Sequence, residues 1–277
     1  MSLRTEVARA LVERGFKTRL VARVAGVSRG VLRRQERPAD PRSEKIRDLV
    51  KALAEENPRY GTPRITVLVR RTGDIVNHKR VERIWDEEGL QLPRRRPKKR
   101  RLGEPQVRPF LATRPNEVWC YDFLHAKTEY GVKLRFLSII DEFTRELLTI
   151  RVEKTFDSKV VLETIEALVE ARGASPTYVR SDNGSEFVAE AVRKWWLEHG
   201  TQPVFIEPGS PWQNGYIESF HDKLRSECLD RERFWSRAEA QVISEWFRRH
   251  YNTARPHSSI DYMTPVEKFA TTTAVEY

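Results

Sequence analysis

From residue 118 the chain reads as three apolar strands in succession and then alternates helix with strand. That order is satisfied by a mixed sheet carrying helices on its faces. The strand signals run over 118–126, 132–141 and 147–152, with turn residues at Tyr130-Gly131 and across 141–145. Asp157-Ser158 then caps a helix through Val160, Val161, Ile165, Leu168 and Val169, which Gly173 ends. A short strand at Tyr178-Val179, a helix over 189–199, a strand over 202–206 and a helix over 215–228 complete the pattern. The expected class is therefore α/β.

The chain before this unit has helical periodicity. Val7, Leu11 and Val12 form one stripe. Thr18 is placed to cap a short helix through Val21, Ala22 and Val24, Gly26 breaks it, and Ser28 is placed to cap the next, with Val31 and Leu32. Helix, Gly-containing turn, helix is the helix-turn-helix pattern. A small structural helical pair reads the same way. Ile46, Leu49, Val50 and Leu53 lie on one helical face. Asn77 caps a helix bearing Val81, Ile84 and Trp85, closed by Gly89. Arg64, Arg70, Arg71, Lys79 and Arg80 give this second group a cationic, solvated surface.

The net charge of +10 points to an acidic polymer as partner, and it is unevenly spread. Arg94, Arg95, Arg96, Lys98, Lys99, Arg100 and Arg101 stand together in a segment broken by Pro93, Pro97, Pro105, Pro109 and Pro115. Packed cations repel one another unless an anion is near, so this basic linker is expected to contact DNA phosphates. A plain tether would look similar. Cys120 and Cys228 are too few for a disulfide scaffold or a four-cysteine zinc site. No apolar run approaches the roughly 20 residues that span a bilayer. A secretory signal is not evident, so a cytoplasmic setting is expected. After about residue 230 a helix through Ala238, Val242, Ile243, Trp246 and Phe247 leads to a polar, Pro-broken extension around Tyr251 to Ser258.

Three acids stand out. Asp122 interrupts Val118-Trp119-Cys120-Tyr121-Asp122-Phe123-Leu124, where an unpaired buried carboxylate would be costly. Asp182 ends Tyr178-Val179-Arg180-Ser181-Asp182 and precedes Asn183-Gly184, which is also ordinary turn chemistry. Glu218 follows Pro211-Trp212-Gln213-Asn214-Gly215-Tyr216-Ile217 and, alone, reads as an exposed helical glutamate. Taken together, the three are expected to meet: Asp122 on the first strand beside Asp182 on the fourth, with Glu218 closing the site from a helix. Several anionic oxygens in one place suit a hard divalent ion, Mg²⁺ or Mn²⁺. Two such ions about 3.5–4 Å apart clamp the attacking and leaving oxygens of a phosphodiester displacement. Gln213 and Asn214, just before the helix, are candidates for a DNA end or for a turn and cap. On the helix, Asp222 shares a face with Glu218, and Arg225 is the better phosphate candidate. Asp141 is expected to pair with Arg145 or shape its turn, His221 to be solvated, and Arg255 and His257 to anchor the C-terminal tail or contact DNA.

The stretches Asn116-Glu117-Val118-Trp119-Cys120-Tyr121-Asp122-Phe123, Asp141-Glu142-Phe143-Thr144-Arg145, Arg180-Ser181-Asp182-Asn183-Gly184-Ser185-Glu186-Phe187 and Ser210-Pro211-Trp212-Gln213-Asn214-Gly215-Tyr216-Ile217-Glu218-Ser219-Phe220 carry a resemblance. So does the spacing of thirty-five residues between Asp182 and Glu218. Over roughly residues 44–270 the chain resembles the integrase-core transposases of bacterial insertion sequences. Within them it is most similar to the larger, second-reading-frame product of the two-frame group related to retroviral integrases.

The resemblance implies a ribonuclease-H-like catalytic core that cuts and joins element ends. It implies Asp122, Asp182 and Glu218 as catalytic and metal-binding acids for two Mg²⁺ ions, with Mn²⁺ able to substitute. Expected partners are double-stranded DNA of the terminal repeats and target, further copies of the chain on that DNA, and an upstream-frame protein or fusion. The bacterial nucleoid is the expected location. Leu124 stands where the family often has Thr, and the zinc-binding module of retroviral integrases is missing, His78 being the sole histidine before the core. The expected organisation is a helix-turn-helix-like region (1–40), a second small helical domain (41–92), the basic linker (93–115), the catalytic core (116–230) and a C-terminal helical extension (231–277). A non-catalytic DNA-binding regulator and a nuclease acting on RNA–DNA hybrids are the competing readings.

Overall fold

A nearly continuous apolar run makes β2 (Lys133–Asp141) an inner strand of the sheet, where Leu134, Phe136, Leu137, Ile139 and Ile140 are all buried. It pairs antiparallel with β1 (Val118–Lys127) on one side and with β3 (Leu147–Glu153) on the other. The computed structural model describes residues 3–33, 40–92, 111–181, 190–205 and 215–274. After β3 the chain crosses through α7 (Ser158–Arg172) to β4 (Tyr178–Ser181), which pairs parallel with β1. It crosses again through α8 (Glu190–Glu198) to β5 (Gln202–Phe205), parallel to β4. The strand order is β3-β2-β1-β4-β5, the mixed sheet expected.

Strand alternation sends each half of the sheet's side chains into a separate core. Trp119, Tyr121, Leu137 and Ile139 pack with Val161 and Ile165 of α7 and Val192 and Trp196 of α8. Cys120, Leu124, Leu134, Phe136 and Ile150 face the other way. They meet α9 (Gly215–Leu224), a π-helical turn (Arg225–Leu229) and α10 (Arg237–Thr253) through Phe220, Leu224, Cys228, Phe247 and Tyr251. Each such side chain contributes about 1.5–3 kcal/mol by leaving water.

Two compact units divide at Leu53 and Ala54. In the first, α1 (Leu3–Glu13), α2 (Thr18–Ala25) and α3 (Arg29–Arg33) bury Ala8, Val21 and Ala22. Val7 is more than half exposed, so the buried side of α1 runs through Thr5 and Ala8 instead. Thr18 is the first residue of α2 rather than its cap; Lys17 takes the cap position. Gly26 ends α2 at φ 66°, left-handed backbone that favours glycine. Ser28 caps α3, its hydroxyl accepting from Val31 N–H at 3.3 Å. Helix α4 (Pro41–Glu56) runs across the division, with Ile46, Val50 and Ala54 its buried positions.

The second unit holds α5 (Thr62–Arg71) and α6 (His78–Glu87) along with the sheet and everything after it. Asn77 caps α6 by accepting from Lys79 N–H at 3.0 Å, and Asp157 caps α7 from Val160 N–H at 2.9 Å. The solvated-face reading fails at Arg64, which is turned inward to within 3.9 Å of Glu227, whereas Arg71 stays on the exposed face and bonds Glu267 there at 2.7 Å. The segment after α10 is likewise not a polar extension. Asn252, Arg255, Pro256 and His257 are buried, and the chain continues through a 3-10 turn (Ser258–Ile260) into α11 (Pro265–Thr273), opened by a Thr264–Glu267 capping box. Burial at these polar positions is possible because each finds a partner: Asn252 bonds both the N–H and the carbonyl of Leu147 at 2.9 Å.

Candidate active site

Asp122 lies on β1 opposite Ser138 of β2, on the side of the sheet that Cys120 and Leu124 share with α9. Its side chain keeps about a quarter of its surface open. One carboxylate oxygen accepts the next residue's own N–H, from Phe123, at 2.7 Å. The other stands 3.7 Å from His221 Nδ1 on α9.

Ile217, Phe220 and Leu224 bury one side of α9 against the sheet. That fixes the roll of the helix and sets His221 over Asp122. Glu218 is one turn earlier, exposed, in the first turn of α9 where a carboxylate complements the helix dipole. The structure thus brings Asp122 to the helix of Glu218, one turn from it. Asp182 lies outside the described residues. The strand leading to it is described: β4 pairs with β1 up to Cys120 opposite Arg180, each two residues short of Asp122 and Asp182. Gln213, Asn214 and the linker cations Arg94, Arg95, Arg96, Lys98, Lys99, Arg100 and Arg101 also fall outside the described residues. Among those described, no group of three or more His, Cys, Asp or Glu is clustered to hold a metal ion.

His221 is not solvated. Its side chain is about nine-tenths covered, and burial, reinforced by Arg225, lowers its pKa to about 4 despite Asp222. Neutral imidazole beside Asp122 leaves the carboxylate's charge uncompensated by this neighbour. Asp222 is exposed, and its carbonyl accepts from Ser226 Oγ. Arg225 is exposed and reaches back to β1, donating to the His125 carbonyl at 3.4 Å. Lys223 folds onto Ser219, and burial together with Arg255 lowers its pKa to about 8.

The supports of the site are buried polar groups. Asp141 does not pair with Arg145. Its carboxylate accepts from the N–H groups of Asn116, Phe143 and Thr144 and from the Thr144 hydroxyl, closing the β2–β3 turn. Burial pushes its pKa up while these donors pull it down. Arg145 instead covers the Tyr216 ring at 3.7 Å, at the start of α9. Arg180 and Glu142, both almost wholly buried, pair at 2.7 Å where β4 meets β1. In the π turn behind α9, Asp230 N–H bonds the Arg225 carbonyl five residues back, and Glu227 forks onto Arg255 at 2.7 and 2.6 Å. Arg255 is fully buried between the rings of Tyr60 and Tyr251, and Arg64 approaches the same Glu227. His257 is buried too, its Nε2 directed at the Tyr251 carbonyl at 3.1 Å. Both residues therefore anchor the C-terminal segment. Sequence reasoning missed Glu227 altogether; its sole signal is an acid in a helical run one turn after a buried Leu224.

Family models described as integrase core domain match residues 112–211 and 199–265, and one described as HTH-like domain matches 41–98. The chain is 30% identical to the transposase of insertion sequence element IS904 of Lactococcus lactis, over 83% of this chain and 96% of that one. It is also 30% identical to transposase InsD of element IS2-9 of Escherichia coli, over 95% and 92%. This chain belongs to the insertion-element transposase family. An uncharacterized protein of element IS476 of Xanthomonas euvesicatoria shares 36% identity over 95% of this transposase and 75% of its own length. Among solved structures, one fold neighbour is a chain from a simian T-cell lymphotropic virus intasome in complex with PP2A regulatory subunit B56 gamma. It has a TM-score of 0.51 at 14% identity, covering 79% of this chain and 74% of that chain. The family's core is a ribonuclease-H-like polynucleotidyl transferase, and its reaction is DNA transposition. The HTH-like match falls on the second helical group, α4 to α6. Among the described residues, no helix is long and apolar enough to cross a membrane.

Proposed function

We propose that this transposase cleaves the ends of its element and joins them to target DNA by in-line attack on phosphodiesters, using Asp122, Asp182 and Glu218 as its acids. The observation that carries the reading is the approach of α9 to β1. A carboxylate in the middle of the central strand, partly open to solvent, faces the helix that bears Glu218 one turn away. Strand β4, whose last described residue is Ser181, pairs with the same strand in a register that leads toward it. Asp122 and Glu218 are oxygen donors, which fits hard divalent ions, and with Asp182 they would hold Mg²⁺, or Mn²⁺ in its place. When bound, two such ions supply charge stabilisation at the attacking and leaving oxygens.

The chain's own residues do the positioning. Ile217, Phe220 and Leu224 lock the roll of α9, so Glu218 stays on the side of Asp122. Covered, neutral His221 keeps water from one flank of the carboxylate. Arg225 is set to meet a phosphate beside the acids. The basic linker and the helical region are read as the grip on terminal repeats. In the first unit, Lys17, Arg19, Arg23 and Arg29 line one groove, which supports a polyanion there. Joining two ends to one target calls for more than one copy on the DNA.

The test is cleavage of duplex carrying the element's ends. Asp122→Asn, Asp182→Asn and Glu218→Gln are each expected to abolish cleavage in Mg²⁺ and Mn²⁺ while binding stays within about threefold. Full cleavage by any one variant would remove that residue from the site. A wild-type chain that binds ends but never nicks them would establish the regulator reading.

A further inference from the structure

At the far end of β1 two large aromatic side chains are left in solvent. Tyr130, in the β1–β2 turn, is 76% exposed, and Trp235, just before α10, is 51% exposed. Their rings lie 5.5 Å apart at 56°. The pair is rigidly mounted. Glu129 N–H bonds the Phe234 carbonyl at 3.0 Å, tying the two turns together, and Trp235 N–H is held by the Glu239 carboxylate at 2.7 Å. Phe234 is buried against Phe136 beneath them. Exposed aromatic surface held in place forgoes burial and has already lost its freedom, which suits stacking on a flat partner.

The adjoining strand ends carry an arrangement that is unfavourable on its own. Lys127 and Lys133 are exposed and directly opposite each other across β1 and β2. Like charges at that spacing repel. An anion between them removes the penalty. Arg233 adds little, since Glu129 lies 3.8 Å away. Tyr and Trp are also common at protein interfaces, where lysines are depleted, so it is the facing lysine pair that turns the choice toward an anionic partner. A nucleic acid strand offers both needs together, a phosphate for the lysine pair and a base for the rings. Lys127 is five residues from Asp122 along β1, about 17 Å, within reach of a strand leaving the acids.

We propose that Tyr130 and Trp235 form a stacking platform for unpaired DNA, with Lys127 and Lys133 meeting its phosphates. The proposal rests on the transposase reading above and adds a site for single-stranded flank or splayed bases next to the reacting phosphate.

Binding of the whole chain is measured by fluorescence anisotropy without divalent metal, on a labelled oligothymidine strand and on a blunt duplex. Tyr130→Ala with Trp235→Ala is expected to weaken strand binding about tenfold or more and leave the duplex within about twofold. Tyr130→Phe with Trp235→Phe, which keeps the rings and the fold, should restore strand binding. Lys127→Gln with Lys133→Gln should make the strand's log–log salt slope shallower by roughly 1.4, two phosphate contacts' worth. Equal losses on strand and duplex, or no loss on the strand, would overturn the proposal. So would a changed sedimentation coefficient in the Ala pair with strand binding intact, which would assign the patch to a second copy. The readout needs neither metal nor cleavage, so a failed cleavage test leaves it unaffected.

Discussion

At the scale of single residues, charge is placed by what surrounds it. Asp122 and Asp141 are both acids of the central strands, yet they do different work. Asp141 is wholly buried and spends its lone pairs on a turn, whereas Asp122 keeps an open face toward α9. Asp222, exposed one turn past Glu218, is expected to be dispensable: Asp222→Asn should keep end cleavage within about threefold of wild type, measured on the same duplex. His257 gives a pH prediction. Burial, with Arg255 adding to it, holds its pKa down to about 2. In the unfolded chain a histidine titrates near about 6.5. Below that pH the unfolded state takes up a proton that the folded state refuses, so stability falls as pH drops from about 6.5 toward 2. Urea unfolding between pH 7 and pH 4.5 should show this decline, and His257→Asn should flatten it.

At the scale of elements, the buried ion pair behind α9 is the joint on which the site hangs. Arg255 has no exposed surface, and Glu227 is only 10% exposed on the π turn that follows α9. Removing Arg255 leaves Glu227 with the longer 3.9 Å approach of Arg64 in a poorly hydrated place, and breaking a buried pair of this kind costs about 3–5 kcal/mol. Arg255→Ala should therefore lower unfolding free energy by that amount in urea titration. Arg249→Ala is the contrast: that arginine is 75% exposed, pairs with Glu245 across one helical turn, and should cost at most about 0.5 kcal/mol. The same element shows where periodicity misleads. Val242 and Trp246 fit a helical stripe but are 69% and 64% exposed, because α10 turns Ala240, Ser244, Phe247 and Tyr251 to the sheet.

For the whole molecule, the excess charge of the 50 Lys and Arg over 40 Asp and Glu is expected to set the affinity for DNA. With six to ten phosphate contacts, binding should weaken about 10³–10⁵-fold between 50 and 200 mM salt. Deleting residues 94–101 should flatten that dependence, read as the slope of log affinity against log salt. An unchanged slope would make the segment a tether.

Local pattern determined the elements of this protein. Strand alternation, the caps at Asn77 and Asp157 and the glycines at 26 and 173 all act within a few residues, so the chain itself states them. The α/β class was legible for the same reason, and so was Asp122, an acid interrupting an apolar run; Asp182 and Glu218 stood out only with it, through their order and the thirty-five-residue spacing that carries the resemblance. The neighbouring of the first and fourth strands was expected from the sequence and is found; only the tertiary structure decided that His221 covers Asp122 and that Arg255 and Asn252 are buried. It also decided that Tyr130 and Trp235 stand together in solvent. Those outcomes join segments as distant as Leu147 and Asn252. A polar side chain is buried or exposed according to whether a remote partner satisfies it, and no local pattern carries that information.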